Sequence, residues 1–146
     1  MSVFADSSAL VKLYADEVGN QAVRVVEVLI ISQVARVEVP AAFWRKQRMG
    51  ELHAAQARLL TQDFEADYFG TDEEPPRFMA VSSTAGVLDQ AAQLCAVHPL
   101  GTYDAVQLAS ALAARDSEPG CRTLAAFDAA LRRAASAEGF ALLPQQ

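Results

Sequence analysis

The sequence predicts an α/β fold in three layers, with helices on both faces of a central, mostly parallel sheet. Two observations carry this expectation. Short apolar runs such as SVFAD, FMAVSS and RTLAAF recur along the chain, and runs of that kind suit strands buried on both faces. Between them lie helical patterns of about 10 to 15 residues, the crossovers that join parallel strands. A chain of 146 residues, 52% hydrophobic and 21% charged, buries one full core but is short for two. A single domain over residues 1–146 is therefore expected.

The first strand, SVFAD, closes on Asp6, and from Ser8 the residues Ala9, Leu10, Val11, Leu13 and Tyr14 take helical spacing. A second helix is expected over GNQAVRVVEVLI, with a short IIS strand after it. From Gln33 the helical pattern resumes through VARVEVPAAFWRKQRMG. Pro40 blurs that boundary, because proline suits a first turn but kinks a helix interior. ELHAAQARLLTQDFEADYF reads as an amphipathic helix through Leu52, Ala55, Leu59, Leu60 and Phe64. The acidic, proline-bearing GTDEEPPR is a loop. FMAVSS is a strand, and Ser83 or Thr84 caps the helix through VLDQAAQLCAVH. Thr102 is the expected cap of GTYDAVQLASALAARD. RTLAAF is the next strand, DAALRRAASAEG a helix ending on Gly139, and FALL a last strand.

Composition narrows the function. A net charge of −6 and a pI near 4.8 argue against a protein that coats nucleic acid by charge alone. They leave room for a carboxylate site that acts on phosphates through divalent cations. No apolar stretch approaches the roughly 20 residues of a membrane span. Asp6 and two serines stand where a secretory segment would begin, so a cytoplasmic protein is expected. Cys95 and Cys121 have no metal-type spacing and read as reduced thiols. His53 and His98 lack a paired histidine or cysteine, which argues against zinc.

Four acids fall in places that matter. Sites in open parallel sheets form beyond the carboxyl ends of strands. Asp6 closes the first strand and Asp128 comes directly after RTLAAF. Asp104 lies in the first turn of a helix. Glu38, between Val34 and Ala42 on the helical wheel, shares an apolar face. Each has an ordinary explanation: Asp6 and Asp128 as helix caps, Asp104 as a complement to the helix dipole. Glu38 is costly on an apolar face unless a cation, a donor or water reaches it, and Arg36 or Arg45 are candidate partners. Taken together, four carboxylates converging at one end of a sheet would raise one another's pKa. A hard divalent ion relieves that conflict.

The same residues carry a family resemblance over nearly the whole chain. FADSSALVKLY, ARVEVPAAFWRKQRMGEL, TYDAVQLASAL and FDAALRRAASAEGFALLP resemble, in order, the four acid-bearing segments of PIN-domain ribonucleases, in particular the VapC-like toxins of type II toxin–antitoxin pairs. The resemblance implies a PIN-like, Rossmann-like fold. It places Asp6, Glu38, Asp104 and Asp128 at the catalytic, metal-holding positions, with Ser8 in a supporting role. Many relatives carry a hydroxyl residue two before the fourth acid, where this chain has Ala126.

The activity that the resemblance implies is hydrolysis of an RNA phosphodiester with Mg²⁺ or Mn²⁺. The basic patch Arg45, Lys46 and Arg48 beside Trp44 is a candidate grip on the RNA backbone, with an ordinary solvated helix end as the alternative; Arg132 and Arg133 stand in the same position. The resemblance also implies a homodimer and an inhibiting antitoxin. The apolar residues of ALVKLY and ADEVGNQAVRVVEVL are the candidate partner surface. Rival readings fare worse. A haloacid-dehalogenase-type phosphatase needs an acid where Ser8 stands, and a receiver needs a late lysine, whereas the chain has no lysine after Lys46. The remaining alternative is a catalytically weak or inactive PIN-like module that only binds a partner.

Overall fold

The structure, a computed structural model, describes residues 2–15, 19–24, 26 and 28–145. In chain order the elements are β1 (Ser2–Ala5), α1 (Ser7–Tyr14), α2 (Asn20–Arg24), β2 (Val28–Ser32), α3 (Ala35–Arg48) and α4 (Ala54–Phe69). Then come β3 (Phe78–Val81), α5 (Ala85–Val97), α6 (Thr102–Ser117), β4 (Cys121–Ala125), α7 (Ala129–Ala137) and β5 (Ala141–Leu143).

All five strands are parallel, in the order β3-β2-β1-β4-β5. From β1 the chain winds outward to β2 and β3, then returns to the other side of β1 for β4 and β5. The winding reverses between β1 and β4, and in such sheets a crevice opens there, beyond the carboxyl ends of the strands. Alternation along each strand divides the core in two. Phe4, Ile30 and Leu124 face α5, α6 and α7, while Val3, Ala5, Leu29, Ile31 and Ala125 face α1, α3 and α4. Both faces being apolar is what made the strands read as unbroken hydrophobic runs.

Several sequence expectations need correction. The helix expected over GNQAVRVVEVLI ends at Arg24, and Val28–Ser32 is a strand; Val25 and Glu27, also assigned to that helix, lie outside the described residues. The cap of α6 is Gly101, in extended backbone, with Thr102 already the first helical residue. Pro40 lies inside α3. It cannot donate to the Arg36 carbonyl, and the helix enters through short i→i−3 bonds, Arg36 to Gln33 and Val37 to Val34. In α4 the buried stripe is Ala57 and Phe64, with Leu60 and Tyr68 packed beside them. Leu59 is 57% exposed. The apolar residues of ALVKLY go into the core, Leu10 and Val11 buried and Leu13 and Tyr14 packed against them. Of the second proposed partner segment, Asp16, Glu17 and Val18 also lie outside the described residues.

Thr84 caps α5, accepting from Val87 N–H. Tyr14 donates to Asp67 at 2.6 Å and ties α1 to α4. Both cysteines are free thiols. No helix among the described residues is long and apolar enough to cross a membrane.

Candidate active site

Asp6 leaves the end of β1 and enters the site in one step. Its backbone N–H donates to the Ala125 carbonyl, which extends the β1–β4 ladder by one rung. Its side chain caps α1: Oδ1 accepts from Ala9 N–H at 2.9 Å and from the Ser8 hydroxyl at 2.7 Å. The residue is 3% exposed. Burial pushes the carboxyl from 3.8 up to about 7; Ser8 and the Ala9 N–H oppose this, while Asp104 and Glu38 add to it. Ser8 also accepts the Phe127 N–H at 3.1 Å, so one hydroxyl joins the starts of both acid-bearing turns.

Glu38 stands on the face of α3 next to the core stripe of Ala35, Val39 and Phe43. Neither arginine suggested from sequence pairs with it. Arg36 bonds Glu65 at 2.8 Å, and Arg45 forms no ion pair among the described residues. The donors are two neutral groups instead. Ser7 donates to Oε1 at 2.8 Å and Gln107 Nε2 donates to the same oxygen at 2.8 Å. Nε2 also reaches the Ser7 hydroxyl at 3.0 Å. Sequence reading missed Ser7 and Gln107. A faint signal existed for the second: a glutamine within AVQLASALAA, one turn after Asp104, on a helix apolar enough to be buried all round.

Asp104 occupies the first turn of α6, where a carboxylate complements the helix dipole. Its pKa is nevertheless raised, first by burial and then by Asp128 and Glu38. Asp128 is exposed and caps α7 through Oδ2, which accepts from Leu131 N–H at 2.9 Å. The capping explanations for Asp6 and Asp128 thus describe real bonds, each occupying one oxygen and leaving the other.

These four acids line one cavity of about 480 Å³, together with Ser7, Ser8, Gln107, Tyr103, Arg45 and the small apolar side chains of α3. Arg45 is the basic residue that reaches it. Lys46 and Arg48 do not line it, and Trp44 packs against the α3–α4 side of the core instead of offering a free ring. Arg132 is engaged with the carbonyls of Ala126 and Pro144. His53 caps α4 and His98 bonds Glu138, both away from the cavity. Ala126 is fully buried in the core facing α6 and α7, so its missing hydroxyl leaves no gap in the cavity wall.

Among the described residues, no three His, Cys, Asp or Glu side chains stand close enough to hold a metal ion as a group. The carboxylates surround a space instead of closing on a point. The donor set is all oxygen, and Asp6 and Asp104 are each pushed up by burial and then by neighbouring acids. Those features fit a hard divalent ion that keeps several waters and takes few direct carboxylate contacts. They do not fit a soft metal, which would need sulfur or imidazole.

An α/β sheet whose winding reverses at an acidic crevice has its ligand site at the carboxyl ends of the strands, and comparison with known proteins narrows the class of protein. The family model of the PIN domain matches residues 3–137. Two proteins of Mycobacterium tuberculosis, Ribonuclease VapC45 of strain CDC 1551 / Oshkosh and Ribonuclease VapC49 of strain ATCC 25618 / H37Rv, are each 32% identical over 148 residues. Each alignment covers 99% of this chain and 96% of the relative. The crystal structure of Mycobacterium tuberculosis VapC20, a sarcin–ricin loop cleaving toxin, superposes with a TM-score of 0.62 at 19% identity, covering 94% of this chain and 95% of that one. The chain belongs to the PIN-domain family, among its VapC ribonucleases.

Proposed function

We propose that this chain is a Mg²⁺- or Mn²⁺-dependent endoribonuclease, the toxin of a toxin–antitoxin pair, working in the cytoplasm. The observation that carries the reading is the convergence of Asp6, Glu38, Asp104 and Asp128 on one cavity at the carboxyl ends of β1 and β4. Burial disfavours ionised Asp6, and a divalent cation compensates that cost. Resemblance to VapC45 and VapC49 supports the ribonuclease activity.

In this reading Asp6, Glu38 and Asp104 would hold the metal partly through its retained waters, with Asp128 contributing directly or through water. Held there, a divalent ion would supply Lewis-acid chemistry, making a water more acidic and offsetting charge that builds on the phosphate. The protein's own groups do the rest. Ser8 fixes Asp6 and is not a nucleophile, because its hydroxyl already serves Asp6 and Phe127 and no histidine or cysteine lines the cavity to activate it. Arg45 meets a backbone phosphate from the rim. Val37 and Tyr103, 70% and 61% exposed, give the mouth an apolar edge that suits a base or a partner segment. The negative net charge suits a basic antitoxin, and a homodimer is the expected assembly.

The test is cleavage of mixed RNA by purified protein freed of any partner and supplied with Mn²⁺. Cleavage that Asp6→Asn and Asp104→Asn each abolish supports the enzyme. Cleavage retained equally by both variants points to a contaminant and overturns the assignment. No cleavage by any form favours the inactive, partner-binding module.

A further inference from the structure

Gln107 has no place in the chemistry above, yet it is 1% exposed in the wall of the same cavity. Its neighbours along α6, Ala105, Val106, Leu108 and Ala109, are all buried. An amide there is costly unless both of its ends are bonded. Only one is. Nε2 donates to Glu38 and Ser7, while Oε1 is buried with no partner among the described residues. Turning the amide over would set its carbonyl against the Glu38 carboxylate and orphan Nε2 instead. The side chain is held in the orientation that serves Glu38.

We propose that Gln107 is a positioning residue that, with Ser7, clamps Oε1 of Glu38 and presents Oε2 to the ligand of the cavity. The arrangement ties the site together. Ser7 is the residue after Asp6, and Gln107 stands one helical turn beyond Asp104. The two donors on Glu38, 31 and 69 positions away in sequence, therefore hang from the elements that carry Asp6 and Asp104. The clamp sets the separation of three carboxylates borne on three different helices or strand ends. A carboxylate held by such outer bonds gives up less rotamer freedom on meeting a ligand.

This inference rests on the metal-nuclease reading, and the test separates the two. Mn²⁺ binding is measured by calorimetry on the full chain as wild type, Gln107→Met, Ser7→Ala, Glu38→Gln and the Gln107→Met/Glu38→Gln double variant, with melting temperature as a control for folding. Methionine keeps the length of glutamine and deletes the donor. Expected are an affinity about tenfold weaker for Gln107→Met, in the range known for outer-sphere losses, and no further loss when Glu38→Gln is already present. The RNA-cleaving activity should lose kcat with KM little changed. Should Gln107→Met not fold, Ser7→Ala carries the same expectation from the other donor. Wild-type affinity in both Gln107→Met and Ser7→Ala, or a loss fully additive with Glu38→Gln, sinks the clamp alone. A wild type that takes up no Mn²⁺ sinks the metal reading, and the clamp with it.

Discussion

The Ser8 hydroxyl donates to Oδ1 of Asp6 at 2.7 Å, across a gap of two residues. The same hydroxyl accepts from Phe127, 119 positions away, so it couples the acid at the end of β1 to the turn that presents Asp128. Ser8→Ala should therefore damage the site and the fold together. Loss of the two bonds predicts a destabilisation of about 1–2 kcal/mol, read from denaturant melts. RNA cleavage should fall roughly tenfold. A Ser8→Ala variant as stable and active as wild type would remove Ser8 from the site.

Asp6 gives the stability a distinctive pH dependence in the absence of metal. Its folded pKa of about 7 lies above the ordinary value of 3.8. Between those pH values the folded state holds a proton that the unfolded state has released, so the stabilising contribution is complete below 3.8 and is lost as pH rises through 7. Asp6→Asn keeps a side chain able to cap α1 but cannot titrate. The variant should match the wild type near pH 4 and exceed it by about 2 kcal/mol or more at pH 8, each pKa unit being worth about 1.4 kcal/mol. Chemical denaturation in EDTA at the two pH values checks this. A pH-independent difference would mean that burial does not disfavour the charge.

Metal should act in the opposite sense at high pH. A ligand confined to the folded state at about 100 times its dissociation constant adds about 2.7 kcal/mol. At pH 8, Mn²⁺ should raise the melting temperature by several degrees, EDTA should reverse the rise, and Asp104→Asn should largely remove it. An identical rise in wild type and Asp104→Asn would place the ion elsewhere on the surface.

The basic residues of α3 should separate in RNA binding. Arg45 lines the cavity, whereas Arg48 is exposed at the end of the helix and does not. In the Asp104→Asn background, which is expected to prevent turnover, Arg45→Ala should weaken binding of a short RNA about tenfold and flatten its salt dependence by close to one unit. Arg48→Ala should change affinity less than about threefold. Fluorescence anisotropy at two salt concentrations distinguishes them, and equal effects would locate the RNA path along the helix end.

The residues that were legible from sequence were those whose signal is local. Asp6 at a strand end, a cap at Ser83 or Thr84 (Thr84 in the structure) and GTDEEPPR as a loop each come from chemistry within a few positions of the chain. Of Val28–Ser32 only the IIS end was legible as strand, and Val28 and Leu29 were read as helix, because a strand buried on both faces has no alternation and its apolar run matches a helix equally well. In α4, Leu59 and Leu60 are adjacent leucines that a helical wheel can assign to either side. Packing against α3 chose the stripe of Ala57, Leu60, Phe64 and Tyr68.

The sequence by itself determined the fold class and singled out four acids as candidates, since strand ends, helix starts and an acid on an apolar face are properties of neighbouring residues, and the family resemblance grouped them. Only the tertiary structure decided how Glu38 is held. Its donors, Ser7 and Gln107, lie on other helices, and no pattern within α3 encodes which distant side chain will arrive beside it. It decided likewise that Arg45 faces the cavity while Lys46 and Arg48 do not. The direction in which a helix presents each side chain depends on how that helix docks on the sheet, and docking is a property of the whole core.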